Sequence, residues 1–482
     1  MCERFWTLPS PLYYAHTPKL FAFASELQAI CAHPDFAADF DLRAVQKYFA
    51  HGYVPAPNAV YKNSHMLPAG HNLLFEVTTG NTRVWCYWRF RCSRDNRLLE
   101  ANEDALAEEL RALVLQSVER RLMADVPLGL FLSGGIDSSI VLAAMTKLRP
   151  PEEINTFCIG FDEPSFDESA FARETAAFYR ARHREQEVAM ADALEQSAPL
   201  LQTLGEPLGD PSFLPTSILA GFARRHVTVA LSGDGGDELF AGYDPFAALK
   251  PAARYQKLVP TMLHRLISRL VGKLPISDRN MSLDFKLRRA LKGVSHPPEF
   301  WNPVWLSPLA PEDFGDMFSE PLPQEELYSE ALACWHDGEG DLLDNSLNFY
   351  VNSYLQNGIL TKVDRAAMAS SLETRAIFLD NDLVEFCQKL PNRFKVYKGQ
   401  RKYLLRKAFA DYLPAQVLKR PKKGFGIPLN KWLRTLSLPA KNWKVPGINE
   451  DWIERCWENH RAGHEDHRLL LWSWMSFCHL RQ

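Results

Sequence analysis

The chain has 482 residues, 46% of them hydrophobic, with 55 basic and 58 acidic side chains and a formal net charge of −3. That length allows two or three domains, and the near-neutral charge gives no sign of a general nucleic-acid or membrane-surface binder. No apolar run approaches the ~18 residues of a membrane span, and no signal-peptide pattern opens the chain. The 9 cysteines form no C-x-x-C pair and no zinc spacing with histidine, so the expectation is a cytoplasmic protein with reduced thiols.

In chain order, the segment to about Phe90 reads as β-rich with one helix. Leu12 to Ala15 and Leu20 to Ala24 are short strands around Thr17-Pro18-Lys19. Leu42 to Phe49 is helical, and Asn72 to Val77 and Val84 to Trp88 are strands separated by Thr79-Gly80-Asn81. From Asn102 to Met123, apolar residues recur at three- and four-residue steps, which predicts an amphipathic helix. An apolar run, Pro127 to Leu132, then stops at Ser133-Gly134-Gly135 and gives way to a helix ending at Leu148. Beyond it the pattern alternates: strand Asn155 to Gly160, helix Glu168 to Arg182, strand Glu185 to Val188, helix Ala191 to Leu204, strand Val227 to Leu231. Such alternation implies a parallel sheet of βαβ units, whose ligands sit outside the carboxyl ends of the strands. Pro245 to Asp344 reads as irregular helices forming a cover without chemistry of its own. From Leu347 the chain is strongly helical.

Two strand ends carry the chemistry. Ser133-Gly134-Gly135-Ile136-Asp137-Ser138 is a glycine turn into a helix, which leaves backbone N–H groups open to an anion. It lacks the Walker spacing and lysine. Ser232-Gly233-Asp234-Gly235-Gly236-Asp237-Glu238 places carboxylates beside such a cradle, an unfavourable crowding that a magnesium ion bridging to phosphate oxygens makes useful. A third candidate is the run of cations from Lys395 to Lys423. Most of these, including Lys398, Arg401, Lys402, Arg406 and Lys407, read as a solvated helix face. The exception is Arg420-Pro421-Lys422-Lys423-Gly424, where proline and glycine would hold a lysine on a loop.

SGGIDS resembles the pyrophosphate loop of the N-type ATP pyrophosphatases, and SGDGGDELFAGY together with the Leu372-Glu373-Thr374-Arg375 and Phe378-Leu379-Asp380 strings resembles asparagine synthetases of the glutamine-hydrolysing type. GMP and NAD synthetases share the first loop but not the other strings. The resemblance implies an α/β fold, a parallel doubly wound sheet of adenine nucleotide α-hydrolase type with a helical C-terminal part, over residues 96–482. It implies ATP and Mg2+ as cofactors. Leu132, Ser133, Gly134, Gly135, Asp137, Ser138, Ile159, Ser232 and Gly233 would bind ATP and pyrophosphate, Asp137 and Asp237 the metal, and Asp234, Lys422 and Glu373 would be catalytic. Two departures stand out: Asn357-Gly358 where the family commonly has Asp-Asp, and Ala376-Ile377 where it usually has proline.

PLYYAHTPKLFAFASELQAI, YFAHGYVPAPNAVYKN and LPAGHNLL resemble the last third of that family's glutaminase domain. Residues 1–95 are therefore expected to be a small β-rich fragment of an N-terminal-nucleophile glutaminase lacking its nucleophile end. Cys2 falls where the family has its late Arg-Asp-Arg-Phe segment, so it is not expected to be the nucleophile. The resemblance implies an AMP-forming amide ligase acting on aspartate or another carboxylate, with ammonia supplied free or by a separate glutaminase. It also leaves room for a sugar-acid or peptide acceptor in envelope polysaccharide metabolism, a role the segment around Glu206 and Asp210 would suit, and for a catalytically impaired nucleotide-binding remnant. Neither nucleic acid nor a membrane span is implied; a homodimer is compatible.

Overall fold

The computed structural model describes residues 2–4, 10–93, 95–338, 340–420, 424–439 and 443–481. At its centre is a five-stranded sheet: β1 (Leu128–Phe131), β2 (Asn155–Phe161), β3 (Arg182–Val188), β4 (Val229–Ser232) and β5 (Glu373–Ala376), in the order β5-β4-β1-β2-β3. All neighbours are parallel, with Ala230 beside Gly129, Phe131 beside Phe157, and Ser232 beside Ala376. The chain winds outward from β1 through β2 to β3, then returns to β1's other side with β4. The order thus reverses between β1 and β4, which opens a crevice at their carboxyl ends.

Most of the strand and helix expectations appear, with differences of physical interest. β3 begins at Arg182, earlier than its apolar content suggested, because Arg180 takes a left-handed backbone (φ 58°) that ends helix Ser169–Tyr179 and releases the chain into the sheet. The helix expected over Ala191 to Leu204 is two short ones, Met190–Glu195 and Ser197–Gln202. Helix Phe213–Arg224 has no counterpart in the sequence reading. It packs between β2 and helix Leu360–Met368 and is buried on nearly every side, so it shows no amphipathic period.

The largest correction concerns Glu373–Ala376. This stretch was expected within a helical run, but it forms edge strand β5 beside β4. Four residues with two charges carry no strand pattern of their own; the free hydrogen-bonding edge of β4 recruits them. Asp380 then caps helix Asn381–Lys389 by accepting from the Asp382 N–H. Burial alone would raise its carboxyl, but Arg121 and Arg120, each 2.8 Å away on helix Glu103–Arg121, hold it below its usual range.

The N-terminal unit contains two small antiparallel sheets. Tyr13–His16 pairs with Phe21–Ala24 and Ser64–Met66, while His71–Glu76 pairs with Asn81–Cys86 and Cys2–Arg4. Helix Leu42–His51 lies beside them, started by Asp41 accepting from the Arg43 N–H and stopped by left-handed Gly52. Its apolar face joins the core of the second unit: Tyr48 and Phe49 are fully buried in a cluster that includes Trp474, Phe477 and the buried face of helix Phe213–Arg224. Polar contacts run across the same junction. Gly209 N–H donates to Gly52 O (2.7 Å), and Glu206 accepts from Tyr13 Oη (3.0 Å) and from the Val60 N–H (2.7 Å). The eight cysteines from Cys31 to Cys478 are free thiols, and no described helix is long and apolar enough to cross a membrane.

Candidate functional site

The crevice between β1 and β4 opens into a pocket of about 280 Å³. Its floor is the Ser133–Ser138 turn. The Ser138 hydroxyl accepts from the Ser133 N–H (3.3 Å), and the Ser133 hydroxyl accepts from the Gly135 N–H (3.3 Å), which folds the turn back on itself. Gly134 has φ +67°, and a Cβ there would lie 2.6 Å from the carbonyl carbon of Phe171, so only glycine fits. Helix Ile136–Leu148 starts at Gly135 without a side-chain cap, leaving the N–H groups of its first turn for a ligand anion. From behind, Arg420 donates to Ser133 O (3.0 Å), pairs with Glu168 and lies 3.9 Å over the Phe171 ring.

The wall opposite is the Ser232–Glu238 turn. The Ser232 hydroxyl donates to Asp234 Oδ2 (2.7 Å). Glu238 is buried behind the turn, where it accepts from Tyr243 Oη (2.5 Å); burial, reinforced by Asp237 and Asp234, raises its carboxyl to about 7. Gly242 lets the chain turn close under the site. A Cβ there would sit 2.0 Å from Asp237 Oδ1 and 2.1 Å from Lys402 Cε.

Asp137 and Asp237, from the two turns, converge on one cation. Lys402 Nζ lies 2.6 and 2.5 Å from the two Asp137 carboxylate oxygens and 2.6 Å from Asp237 Oδ1. Lys402 follows the hairpin Val396–Tyr397/Gln400–Arg401, whose turn residues Lys398 and Gly399 both have positive φ, the geometry of a two-residue hairpin. Lys402 is itself left-handed (φ 54°), an unfavourable conformation for a lysine that its backbone bond to Phe240 O helps to hold. This corrects the solvated-face reading for Lys402, whose side chain is 6% exposed. Arg401 and Arg406 also line the pocket. A flag existed in the sequence, Lys398-Gly399 as a tight turn, but it gave no direction to the residue that follows.

Of the residues singled out from sequence, Leu132, Ser133, Gly135, Asp137, Ser138, Ile159, Ser232, Gly233, Asp234 and Asp237 all line this pocket. Gly134 supports the turn without lining it. Glu373 does not converge. It stands at the amino end of β5, opposite Val229, with its exposed carboxylate accepting from Arg375 Nε (2.6 Å). Parallel pairing places it at the end of the sheet away from the crevice. Lys422 lies outside the described residues.

On the far wall, Lys362 Nζ donates to Asp210 Oδ2 (2.9 Å) and to the Ser212 hydroxyl (2.8 Å). Burial would raise the Asp210 carboxyl, yet Lys362 and Ser212 keep it below its ordinary range. Asp210 is therefore a partner of a pocket lysine, whereas Glu206 belongs to the junction with the N-terminal unit. Asn357-Gly358 lies within a π-helical stretch, Tyr350–Ile359, where a Cβ on Gly358 would press on Tyr53 at 3.1 Å. Ala376 ends β5 beside Ser232, and Ile377 is fully buried.

A bound metal fits the donor set. Two carboxylates already gather around one positive charge, and the open N–H groups of the facing turn would hold phosphate oxygens to complete a hard-oxygen shell. Among the described residues no cluster of three or more His, Cys, Asp or Glu could hold a metal without such help.

Comparison with known proteins gives the following. The asparagine synthase family model matches residues 109–481, and a glutamine amidotransferase domain model matches residues 9–88. The chain is 28% identical to asparagine synthetase [glutamine-hydrolyzing] 1 of Bacillus subtilis, over 97% of this chain and 72% of that protein. It is 29% identical to a putative asparagine synthetase [glutamine-hydrolyzing] of Mycobacterium bovis, again over 97% and 72%. A putative asparagine synthetase [glutamine-hydrolyzing] 2 of Methanocaldococcus jannaschii is 31% identical over 76% of this chain and 69% of that protein.

Proposed function

The chain belongs to the asparagine synthase family of carbon-nitrogen ligases, and on that premise we propose that it forms an amide from a carboxylic acid, most simply the side chain of aspartate, with ATP cleaved to AMP and pyrophosphate. The observation that carries this reading is the meeting of Asp137 and Asp237 on one cation beside the open N–H groups of the Ser133–Ser138 turn.

In this scheme the acid's oxygen attacks the α-phosphorus, the bond to the β-phosphate breaks and pyrophosphate leaves. Ammonia then attacks the acyl carbon, AMP departs, and the nitrogen loses a proton. The Ser133–Ser138 turn receives the pyrophosphate, while Leu132, Ile159, Ser232 and Gly233 line the nucleoside side. Asp137 and Asp237 would hold Mg2+, which when bound would neutralise phosphate charge. Asp234 stands at the mouth of the second turn, where the acyl-adenylate would form. Lys362 and Arg401 line the pocket wall, each already paired with a carboxylate, Asp210 and Asp244, and each with further N–H donors to offer an acidic acceptor. Positioning and charge neutralisation supply the rate enhancement. Glu373 has no part in this scheme.

For nitrogen, we propose ammonia, supplied free, by a separate glutaminase or from glutamine. Within the described residues Cys2 lies in a strand registered against Leu73, on the edge of a small sheet. The test is incubation with Mg-ATP, aspartate and either ammonium or glutamine, reading AMP, pyrophosphate and amide. Ammonium-dependent AMP and asparagine in equal amounts is the expected result. Amide formed from a sugar acid or peptide but not from aspartate would move the reading to that acceptor class. Absence of AMP with every acid tried would leave only nucleotide binding.

A further inference from the structure

Between Pro245 and Ser277 the sequence contains no Asp or Glu, but it contains Lys250, Arg254, Lys257, Arg265, Arg269 and Lys273. This local excess is invisible in a net charge of −3. All six cations are exposed, and none forms an ion pair among the described residues.

Within the segment, helix Thr261–Gly272 has no fully buried residue. Its inward side is defined by His264, hydrogen-bonded to Tyr255 Oη (3.2 Å) and to the Ser295 hydroxyl (2.9 Å), and by half-buried Ile267 and Val271 against helix Leu283–Val294. The outward side is apolar. Met262, Leu266 and Leu270, four residues apart on one row, are 84%, 52% and 58% exposed, with Leu263 beside them. Arg265 and Arg269, also four apart, run alongside that row.

A soluble helix normally turns its leucines inward; this one turns a leucine row and an arginine row outward together. That pairing suits an interface of hydrocarbon and anionic headgroups, where the leucines enter the acyl boundary and the long arginine stems reach back to phosphates. We propose that helix Thr261–Gly272 is a docking surface for an anionic lipid bilayer. A second copy of this chain fits it poorly. Twofold self-association would bring arginine rows together, and the segment has no acid to pair with them. A protein partner would be expected to meet aromatic anchors and a pocket, and this row is aliphatic and convex. The surface also adjoins the nucleotide pocket. Lys286 on the neighbouring helix shares Asp244 with the pocket residue Arg401, both at 2.7 Å, and Asn280 donates to Gly424 O (3.4 Å).

The test is cosedimentation of the full chain with phosphatidylcholine vesicles and with phosphatidylcholine–phosphatidylglycerol vesicles. Binding is expected only to the anionic vesicles and is expected to weaken with salt. The double variant Arg265→Glu/Arg269→Glu should lower partitioning about 25-fold or more, from roughly fivefold per lost cation, and Leu266→Glu/Leu270→Glu, which puts two carboxylates where the leucines enter the acyl boundary, should lower it comparably. Because all four side chains are exposed, thermal midpoint and ATP binding should not change. Equal binding to neutral vesicles, or wild-type partitioning in either double variant, would overturn the proposal. So would concentration-dependent self-association that Leu266→Glu/Leu270→Glu abolishes without any vesicle binding, which would assign the face to a second copy.

Discussion

Two cationic stretches of this chain look alike on paper and end in opposite environments. Residues 245–277 keep their six cations in solvent, without an ion pair among the described residues. Residues 395–420 leave Lys398 and Lys419 exposed but send others inward: Lys402 between two carboxylates, Arg401 to Asp244, Arg420 to Glu168 and the Ser133 carbonyl. The difference lies in what each stretch is tied to. The second emerges from a tight hairpin aimed at the carboxyl ends of β1 and β4, where acids wait; the first lies on the solvent faces of two helices, Asp244–Leu258, anchored by buried Phe246, Leu249 and Ala252, and Thr261–Gly272, which is held by His264 and half-buried Ile267 and Val271. A charge run therefore says little until the position of the opposite charges is known.

The strongest way to sharpen this contrast is Lys402→Ala. It leaves Asp137 and Asp237, 16% and 11% exposed, facing each other without their ammonium. Breaking a buried pair in this way costs about 4 kcal/mol. Denaturant unfolding without metal should show that loss, with part of it recovered on adding Mg-ATP; a loss below about 1 kcal/mol would mean that water already screens the cluster.

His51 extends the contrast to a basic side chain that burial leaves uncharged. Burial lowers its imidazole from 6.5 to about 4, and it bonds to Leu327 O at 3.2 Å. The folded value lies below the unfolded one. Its stabilisation is thus full above about pH 6.5 and is lost as pH falls through 4, by up to ~3 kcal/mol. Unfolding free energies measured between pH 7 and 4 should decline less steeply in His51→Asn than in the parent.

Glu373→Gln probes a charge at the wrong end of the sheet. AMP formation should stay within about twofold of the parent, since this exposed carboxylate touches Arg375 rather than the pocket. A loss of a hundredfold would return Glu373 to the catalytic set. The smallest effect belongs to Arg265→Gln/Arg269→Gln in lipid-free solution, where thermal unfolding should shift by no more than ~0.5 kcal/mol. A larger shift would show that these arginines serve the fold.

How much was legible follows from the kind of signal. β1, β2 and β4 are compact apolar runs, two of them leading straight into a glycine turn, and such runs announce themselves locally. β5 and helix Phe213–Arg224 did not. The first is a polar tetrapeptide made into a strand by its neighbour's edge, and the second is apolar on all sides because it is enclosed. The position of Glu373 was not legible for the first reason. In a helix its position was free, whereas as the opening residue of a parallel strand it must face away from the site.

The sequence by itself determined the two glycine-acid turns, because the requirement for glycine is set within a few residues by backbone sterics, as at Gly134. It also determined the alternation that makes the sheet parallel. Only the tertiary structure decided that β1 and β4 are neighbours, and with that the meeting of Asp137 and Asp237. It alone decided that Lys402 stands between them and that the leucines of helix Thr261–Gly272 face outward. Those outcomes depend on contacts between residues a hundred or more positions apart or on the absence of a covering element among the described residues. Neither leaves a mark in local composition.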